Sequence, residues 1–330
     1  MSTLVLGGTA WLGREVVSAA LERGEDVTVL ARGQSGPLPA GVDSIRADRA
    51  DPGAYEQVSA RDWDAVVDVS RQPSQVASAL AALGERTAAW VFVSSSSVYA
   101  RADEPGADES AERLAPHRED DDGWETYGGR KVACEDLVLA AVGDRALVAR
   151  SGLIGGPGDH SDRTGYWPLR FAHPATPEGG VLVPDSTVST QVIDVRDLAA
   201  WLVDCAVGHR TGVVNAVGPV VPLTEHLAAA RAVAGHQGEL VGVEPEWLVD
   251  QGVEAWSGPR SLPLWLPVPE YAGFAARRCD AAQALGLRSR PLVETLTDTL
   301  AWELQSGPGR TRKAGLAPAD EAELIRLARA

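Results

Sequence analysis

The sequence predicts an α/β fold: a doubly wound parallel sheet joined to a smaller, mostly helical C-terminal lobe. Three observations point to it. The first thirty-two residues read as strand, glycine-rich turn, helix and strand. Apolar β-rich runs then alternate with helix-like runs as far as about residue 150, the pattern of a parallel sheet covered by helices on both faces. Beyond that point the chain turns rich in Gly, Pro and Asp, and residues 220–330 are helical by pattern.

The bulk properties narrow the function classes. A chain of 330 residues is long enough for two lobes around a large core. Its formal net charge of −16 repels a phosphate backbone, which argues against general nucleic-acid binding. The start, MSTLVLGGTA, enters a strand-like run without the basic segment and long apolar stretch of a signal peptide. No window holds about twenty uninterrupted apolar residues, so no membrane span is expected. Cys134, Cys205 and Cys279 stand far apart without paired spacing, which suits neither a disulfide framework nor a zinc site. His and carboxylate residues show no metal-ligand spacing either, and no catalytic metal is expected. These features together predict a cytoplasmic protein.

The N-terminal run can be read element by element. Leu4 to Leu6 is an apolar strand, GGTAWLG a turn, Glu15 to Glu22 an amphipathic helix stopped by Gly24, and Val27 to Ala31 a second strand. In the turn, Gly7 and Gly13 are the outer positions of a GxxGxxG pattern whose middle glycine is replaced by Ala10. Gly7 allows the sharp bend out of the strand, and Gly13 lets helix and strand pack closely. The free N–H groups of the helix start then face a pyrophosphate. A tight turn without a ligand would use the same glycines; the strand-turn-helix context favours a dinucleotide site formed by Gly7, Thr9, Ala10, Trp11, Leu12 and Gly13. An acid at the end of the second strand would select NAD(H) through the ribose hydroxyl. Here that position is Ala31, followed by Arg32, whose planar permanent charge suits the 2′-phosphate of NADP(H). NADP(H) is therefore favoured and NAD(H) remains open, because a solvated loop arginine would look the same. Asp48, in RADRAD, is placed to accept from an adenine amino group or to form a turn before Pro52.

WDAVVDVS (63–70) and AAWVFVSSSSVYA (88–100) are further strand runs ending in small polar residues. Ligands of open parallel sheets collect beyond such carboxyl ends. About thirty residues later, YGGRK opens a helix in which Tyr127 and Lys131 share one face. An ordinary helix face has that spacing too; convergence with the serine strand end and the glycine turn is what singles this pair out.

The ordered set GGTAWLG, Asp48, SSSSVY, YGGRK, RSGLIGGPG and VIDVRDLA resembles the extended branch of the short-chain dehydrogenase/reductase superfamily, the NAD-dependent epimerase/dehydratase family. The resemblance runs from residue 3 to about residue 219. It implies a Rossmann-type domain and, position by position, a catalytic set of Ser95, Tyr127 and Lys131. Tyr127 is the implied general acid/base, Lys131 its partner and the holder of the nicotinamide ribose, and Ser95 the donor to the substrate oxygen. A free phenol is a feeble base at neutral pH, and an adjacent ammonium and a positive nicotinamide ring favour its charged form. Ser70 joins the implied cofactor residues, and Ser96 borders the substrate.

The sequence also departs from the family. Where nucleotide-sugar members carry R-x-x-N-V-Y-G-P, this chain reads Arg150, Ser151, Gly152, Leu153, Ile154, Gly155, Gly156, Pro157. Leucine cannot make the amide's hydrogen bonds, which argues against a nucleotide sugar. Ala10 in the turn is similar to an atypical subset that includes RNA-associated plant chloroplast proteins. The retained Ser95, Tyr127 and Lys131 and the acidic charge argue against that role, and against a mere dinucleotide sensor.

The layout implied is a dinucleotide domain of residues 1–155 plus about 188–219, and a substrate lobe of about 156–187 plus 220–330. In the second, VIDVRDLA returns a strand and helix to the core, with Asp194 and Asp197 orienting backbone. His160, Arg163 and Trp167 are candidate substrate residues. Tyr166, Trp247, Trp256, Trp265 and Tyr271 either line an apolar pocket with Trp167 or form the lobe's own core or a dimer contact. The acidic REDDD at 118–122 reads as a solvated loop. The expectation is an NAD(P)-dependent oxidoreductase acting on a carbonyl or alcohol of a small organic substrate. The alternatives are a nucleotide-sugar epimerase or dehydratase and, last, a non-catalytic cofactor-sensing or RNA-associated protein. A homodimer is compatible with all of them.

Overall fold

The computed structural model describes all 330 residues. In chain order it begins with β1 (Ser2–Leu6), α1 (Trp11–Glu22), β2 (Asp26–Ala31), β3 (Asp43–Arg46), β4 (Trp63–Asp68), α2 (Pro73–Leu83), β5 (Thr87–Ser95), α3 (Tyr127–Val142) and β6 (Ala146–Ser151). There follow β7 (Leu153–Gly155), α4 (Tyr166–Ala172), β8 (Val181–Pro184), β9 (Ser189–Asp194), α5 (Val195–Val207) and β10 (Gly212–Ala216). The last third supplies β11 (Val220–Pro222), α6 (Leu223–Val233), β12 (Leu240–Val243), α7 (Pro245–Asp250), β13 (Glu254–Ala255), β14 (Ser261–Leu262), α8 (Asp280–Ala284), α9 (Leu292–Ser306) and α10 (Pro318–Ala328). No helix is long and apolar enough to cross a membrane.

Seven parallel strands form the central sheet in the order β10-β6-β5-β4-β1-β2-β3. Apart from the polar, exposed edge strand β3, its strands are largely apolar because the sheet is covered on both faces. Alternate residues then serve opposite layers. Val5, Val29, Val67 and Val91 pack against Val16 and Val17 of α1 and Leu198 and Leu202 of α5. Leu4, Leu30, Val66 and Phe92 pack against Val76 and Leu80 of α2 and Val138 of α3. The strand order reverses beside β1, where β2 leads one way and β4 the other, and this opens a crevice at the carboxyl edge.

A second core gathers α4, β8, β12, the start of α6 and the C-terminal helices. Trp167 belongs to it: its side chain is fully buried, and its indole Nε1 donates to Pro263 O at 2.8 Å. The expected substrate contact is thus a core residue, since a large apolar ring on the inward face of a short helix is drawn into the lobe's interior. Tyr166 and Trp265 share that fate. The strand and helix of VIDVRDLA return to the main core as expected, with Ile193, Leu198 and Leu202 buried there. The strand pairs in a separate three-stranded sheet of order β11-β9-β7, not in the central sheet.

The acidic run before α3 is the exposed loop expected, and its acids also make specific contacts. Asp120 accepts from Ser74 N at 3.0 Å at the start of α2, and Asp121 accepts from Thr126 Oγ1 at 2.8 Å. Asp122 accepts from Arg71 at 2.7 Å. Free N–H groups at helix starts attract carboxylates, and the run joins the start of α2 to the start of α3.

A fully buried carboxylate, Glu135, seats α3 on the sheet. It accepts from Ser94 Oγ of β5 at 2.6 Å, from Arg150 of β6 at 2.9 and 3.0 Å, and from Arg113 at 3.1 Å. Arg150 also donates to Tyr99 Oη at 3.0 Å, and Tyr99 donates to Asn215 Oδ1 of β10 at 2.6 Å. Removing the charge strands a buried guanidinium, so Glu135→Gln is expected to destabilise the fold by about 3–5 kcal/mol. Urea unfolding measures it; an unchanged midpoint contradicts the assignment.

His226 of α6 is buried with only Thr190 Oγ1 beside its Nδ1, at 3.2 Å, and burial pushes its pKa down to about 4. The unfolded chain takes up this proton near 6.5, the folded chain only near 4, so His226 favours unfolding as pH falls between those values. The expected cost reaches about 1.4 kcal/mol per pH unit in that window. Comparing wild type with His226→Gln at about pH 7 and about pH 5 isolates it; parallel losses of stability would refute it.

Candidate active site

The carboxyl edge of the sheet is shaped first by glycine. Gly7 leaves β1 with φ 97°, which side chains rarely adopt, and donates to Leu30 O at 3.0 Å. A Cβ on Gly13 would lie 2.4 Å from Gly7 O, so only glycine lets α1 approach the turn this closely. Ala10 caps α1 in extended conformation with no side-chain cap bond, and the first turn carries no acid. The N–H groups at the start of α1 therefore remain available to an anion.

The crevice beside the turn has a volume of about 380 Å³, and Gly7, Thr9, Ala10, Arg32, Asp48 and Ser70 are among its lining residues. Two members of the expected set turn elsewhere. Leu12 packs against the main core and does not line the crevice. Trp11 donates from Nε1 to Pro157 O at 2.8 Å and meets the ring of His160 edge-on at 5.4 Å between centroids. Trp11 and His160 thus contact one another, and they tie the turn to the loop after β7.

Asp48 accepts from Ala50 N at 3.1 Å with one oxygen and has Arg32 at 3.9 Å from the other. Ser70 lines the crevice, yet its hydroxyl is engaged by Arg49 and Gln75. Arg49 itself is buried on Asp68, at 2.8 and 3.0 Å. Arg32 is exposed, and the same loop collects two arginines that sequence reading missed. Arg46 Nε donates to Arg32 O at 3.0 Å. Arg14 lies where a Cβ on Gly36 would meet its Nη1 at 2.7 Å.

Ser95 ends β5, its Oγ accepting from Ser97 N and donating to Ser97 Oγ, both at 3.1 Å. Ser96 follows in the short turn, partly buried. The start of α3 presses on this turn: a Cβ on Gly128 would lie 2.2 Å from Ser97 O. Tyr127 is the first residue of α3, partly exposed, its ring stacked on Trp124 with centroids 5.1 Å apart and planes 5° apart. No protein group hydrogen-bonds its hydroxyl. Lys131, one turn along and buried, donates to Ser70 O at 2.5 Å and Val93 O at 2.7 Å. Its ammonium is therefore anchored on the ends of β4 and β5 and not on the phenol, with a third donor left over. The structure so brings the serine turn, the Tyr127 end of α3 and the Lys131 ammonium to one edge. Arg163 lies there too, its guanidinium over the rings of Trp124 and Trp256.

Trp124 and Glu135 carried no separate signal in the sequence, although both fall at helical spacing from the Tyr–Lys pair. Leu153, at the position of the sugar-binding asparagine, packs against the second core.

Comparison with known proteins identifies the family. Residues 3–215 match the sequence pattern of the NAD-dependent epimerase/dehydratase family. A 2′-dehydrokanamycin reductase of Streptomyces kanamyceticus is 30% identical over 265 residues, covering 76% of this chain and 72% of that protein. Among solved structures, the Bordetella bronchiseptica enzyme WbmH in complex with NAD+ superposes with TM-score 0.67 at 18% identity, over 93% of this chain and 99% of its own. UDP-glucuronic acid 4-epimerase of Bacillus cereus in complex with NAD gives 0.66 at 15%, over 93% and 99%. The structural likeness shows a shared Rossmann-like fold. By the extent of the family match and by its relative, the chain belongs to the NAD-dependent epimerase/dehydratase family.

Proposed function

We propose that the protein is a reductase that converts a carbonyl of a small organic substrate to an alcohol, or the reverse, with NADP(H) preferred over NAD(H). The observation that carries this reading is the free hydroxyl of Tyr127 at the edge where the Ser95 turn and the anchored Lys131 ammonium come together. When bound, the nicotinamide supplies or accepts the hydride. Tyr127 gives its proton to the carbonyl oxygen in reduction and takes it back in oxidation, and Ser95 holds that oxygen by hydrogen bonding. Lys131, with two donors fixed on carbonyls, has a remaining N–H that would hold the nicotinamide ribose.

The residues of the crevice fit a dinucleotide: a glycine bend, a close helix approach and uncapped N–H groups. The preference for the 2′-phosphate form rests on Arg32, with Arg14 and Arg46 beside the same loop and no acid at the end of β2. Net reduction is supported by the name of the Streptomyces relative, and by Leu153 where a nucleotide-sugar enzyme would place an amide. An epimerase would return its cofactor unchanged, so steady NADPH consumption separates the two reactions.

Tyr127→Phe is expected to lower turnover by roughly 10²–10⁴-fold while leaving the affinity for NADPH intact; stopped-flow NADPH oxidation and cofactor titration test both halves. Undiminished turnover would reject the assigned acid/base. Arg32→Ala is expected to reduce the ratio of NADPH to NADH affinity by about tenfold or more, the size of a charge-assisted contact. An unchanged ratio would remove Arg32 from the cofactor site.

A further inference from the structure

The chain leaves one half-buried guanidinium without an acceptor beside the proposed catalytic tyrosine. Arg163 makes no hydrogen bond or ion pair with any protein group, and its buried Nε has no partner. Its Cζ lies 5.9 Å from the ring centroid of Trp124 and 5.1 Å from that of Trp256, and Trp124 is stacked on Tyr127. The carboxylates nearest in sequence are already engaged. Asp159 accepts from Ser161 N at 2.8 Å and from Thr164 N and Oγ1 at 3.1 and 2.7 Å. Asp162 is held by Arg310, Arg312 and Lys313 N.

Backbone geometry reinforces the arrangement. Asp162 has φ 63° and Trp256 φ 71°, left-handed values uncommon for such residues. The residue before Arg163 and one of the two rings beneath it are thus both held in conformations that persist only where surroundings enforce them, a recurrent feature of ligand sites. Burial holds the guanidinium below the usual arginine value, and the charge of Asp159, which is not in contact with it, offsets this only in part. In a protein of net charge −16, an unneutralised cation at this edge is a local exception.

We propose that Arg163 receives a carboxylate of the substrate, so that the carbonyl reduced beside Tyr127 belongs to a keto acid. The aromatic rings cover the faces of the guanidinium, and its N–H edge matches the planar, bidentate geometry of a carboxylate. This rests on the reductase reading for what happens to the carbonyl, but the binding itself can be measured without turnover.

The test compares benzoylformate and 4-oxopentanoate with their methyl esters, using the full chain. Calorimetry on the NADP+-loaded protein reads affinity, and NADPH oxidation reads turnover. In at least one pair the acid is expected to bind about tenfold or more tightly than its ester, the effect of a charged hydrogen-bond pair. Arg163→Gln should abolish that preference with NADP+ affinity unchanged, and Arg163→Lys should keep part of it. Esters binding as well as acids to the wild type, or no acid binding at all, would overturn the proposal without any variant. So would a preference that survives Arg163→Gln, or a variant that loses cofactor affinity instead. Acid-selective binding without NADPH oxidation would sustain the anion site and sink the reductase reading.

Discussion

The position of the candidate site depends on one buried carboxylate. Glu135 lies one turn beyond Lys131 and two beyond Tyr127, so the three share a face of α3. Its bonds to Ser94 and Arg150 fix both the rotation of the helix and its height above β5 and β6. A buried ion pair adds little net stability over well-packed apolar side chains, because desolvation offsets much of the attraction. What it provides here is register. A helix held by aliphatic contacts alone could turn by a few degrees at small cost; one held by a carboxylate with four directed donors cannot. With α3 fixed, Lys131 falls between the carbonyls of Ser70 and Val93, and Tyr127 is carried to the end of the serine strand. Through Tyr99 and Asn215 the same network reaches β10, so the edge from β4 to the last strand is set by linked hydrogen bonds.

The arginines show how an acidic protein keeps selected positive charge. Most are neutralised by a carboxylate in the fold, as Arg49 is by Asp68 and Arg170 by Glu321. Among those with weak or no neutralisation, Arg32, held only loosely by Asp48, lies at the mouth of the crevice, and Arg163, without an ion pair, lies near Tyr127. A general negative potential with local positive patches disfavours polyanions while still admitting a small anion at defined points.

Much of the sheet was legible because its strands are buried on both faces and their apolar runs end in small polar residues. Helical periodicity alone placed Tyr127 and Lys131 on one face. What the sequence could not convey are choices made by distant partners. The VIDV run has the same local pattern whether it pairs in the central sheet or, as it does, with Leu153–Gly155. The acids of REDDD are exposed as the sequence suggests, but their partners Ser74 and Arg71, some fifty residues earlier, could not be read from it. Trp167 and Trp256 have the same side chain, yet one is sealed in the second core and the other lies beneath a guanidinium. Hydrophobicity cannot separate these outcomes; only the tertiary path of the loop from residue 156 to 165 does.

That loop is held at both ends. At one end Trp11 of the cofactor turn bonds Pro157, and Gly158, at φ 87°, leaves room for the indole where a Cβ would lie 2.8 Å from Nε1. At the other, Asp162 is fastened to Arg310 and Arg312, which also hold the buried Glu303 of α9. Arg163 is therefore suspended between the dinucleotide turn and the C-terminal helices. The turn and the residue before Arg163 are thus fixed to the same short loop. The tryptophan in GGTAWLG, which the turn itself does not require, is what makes that connection.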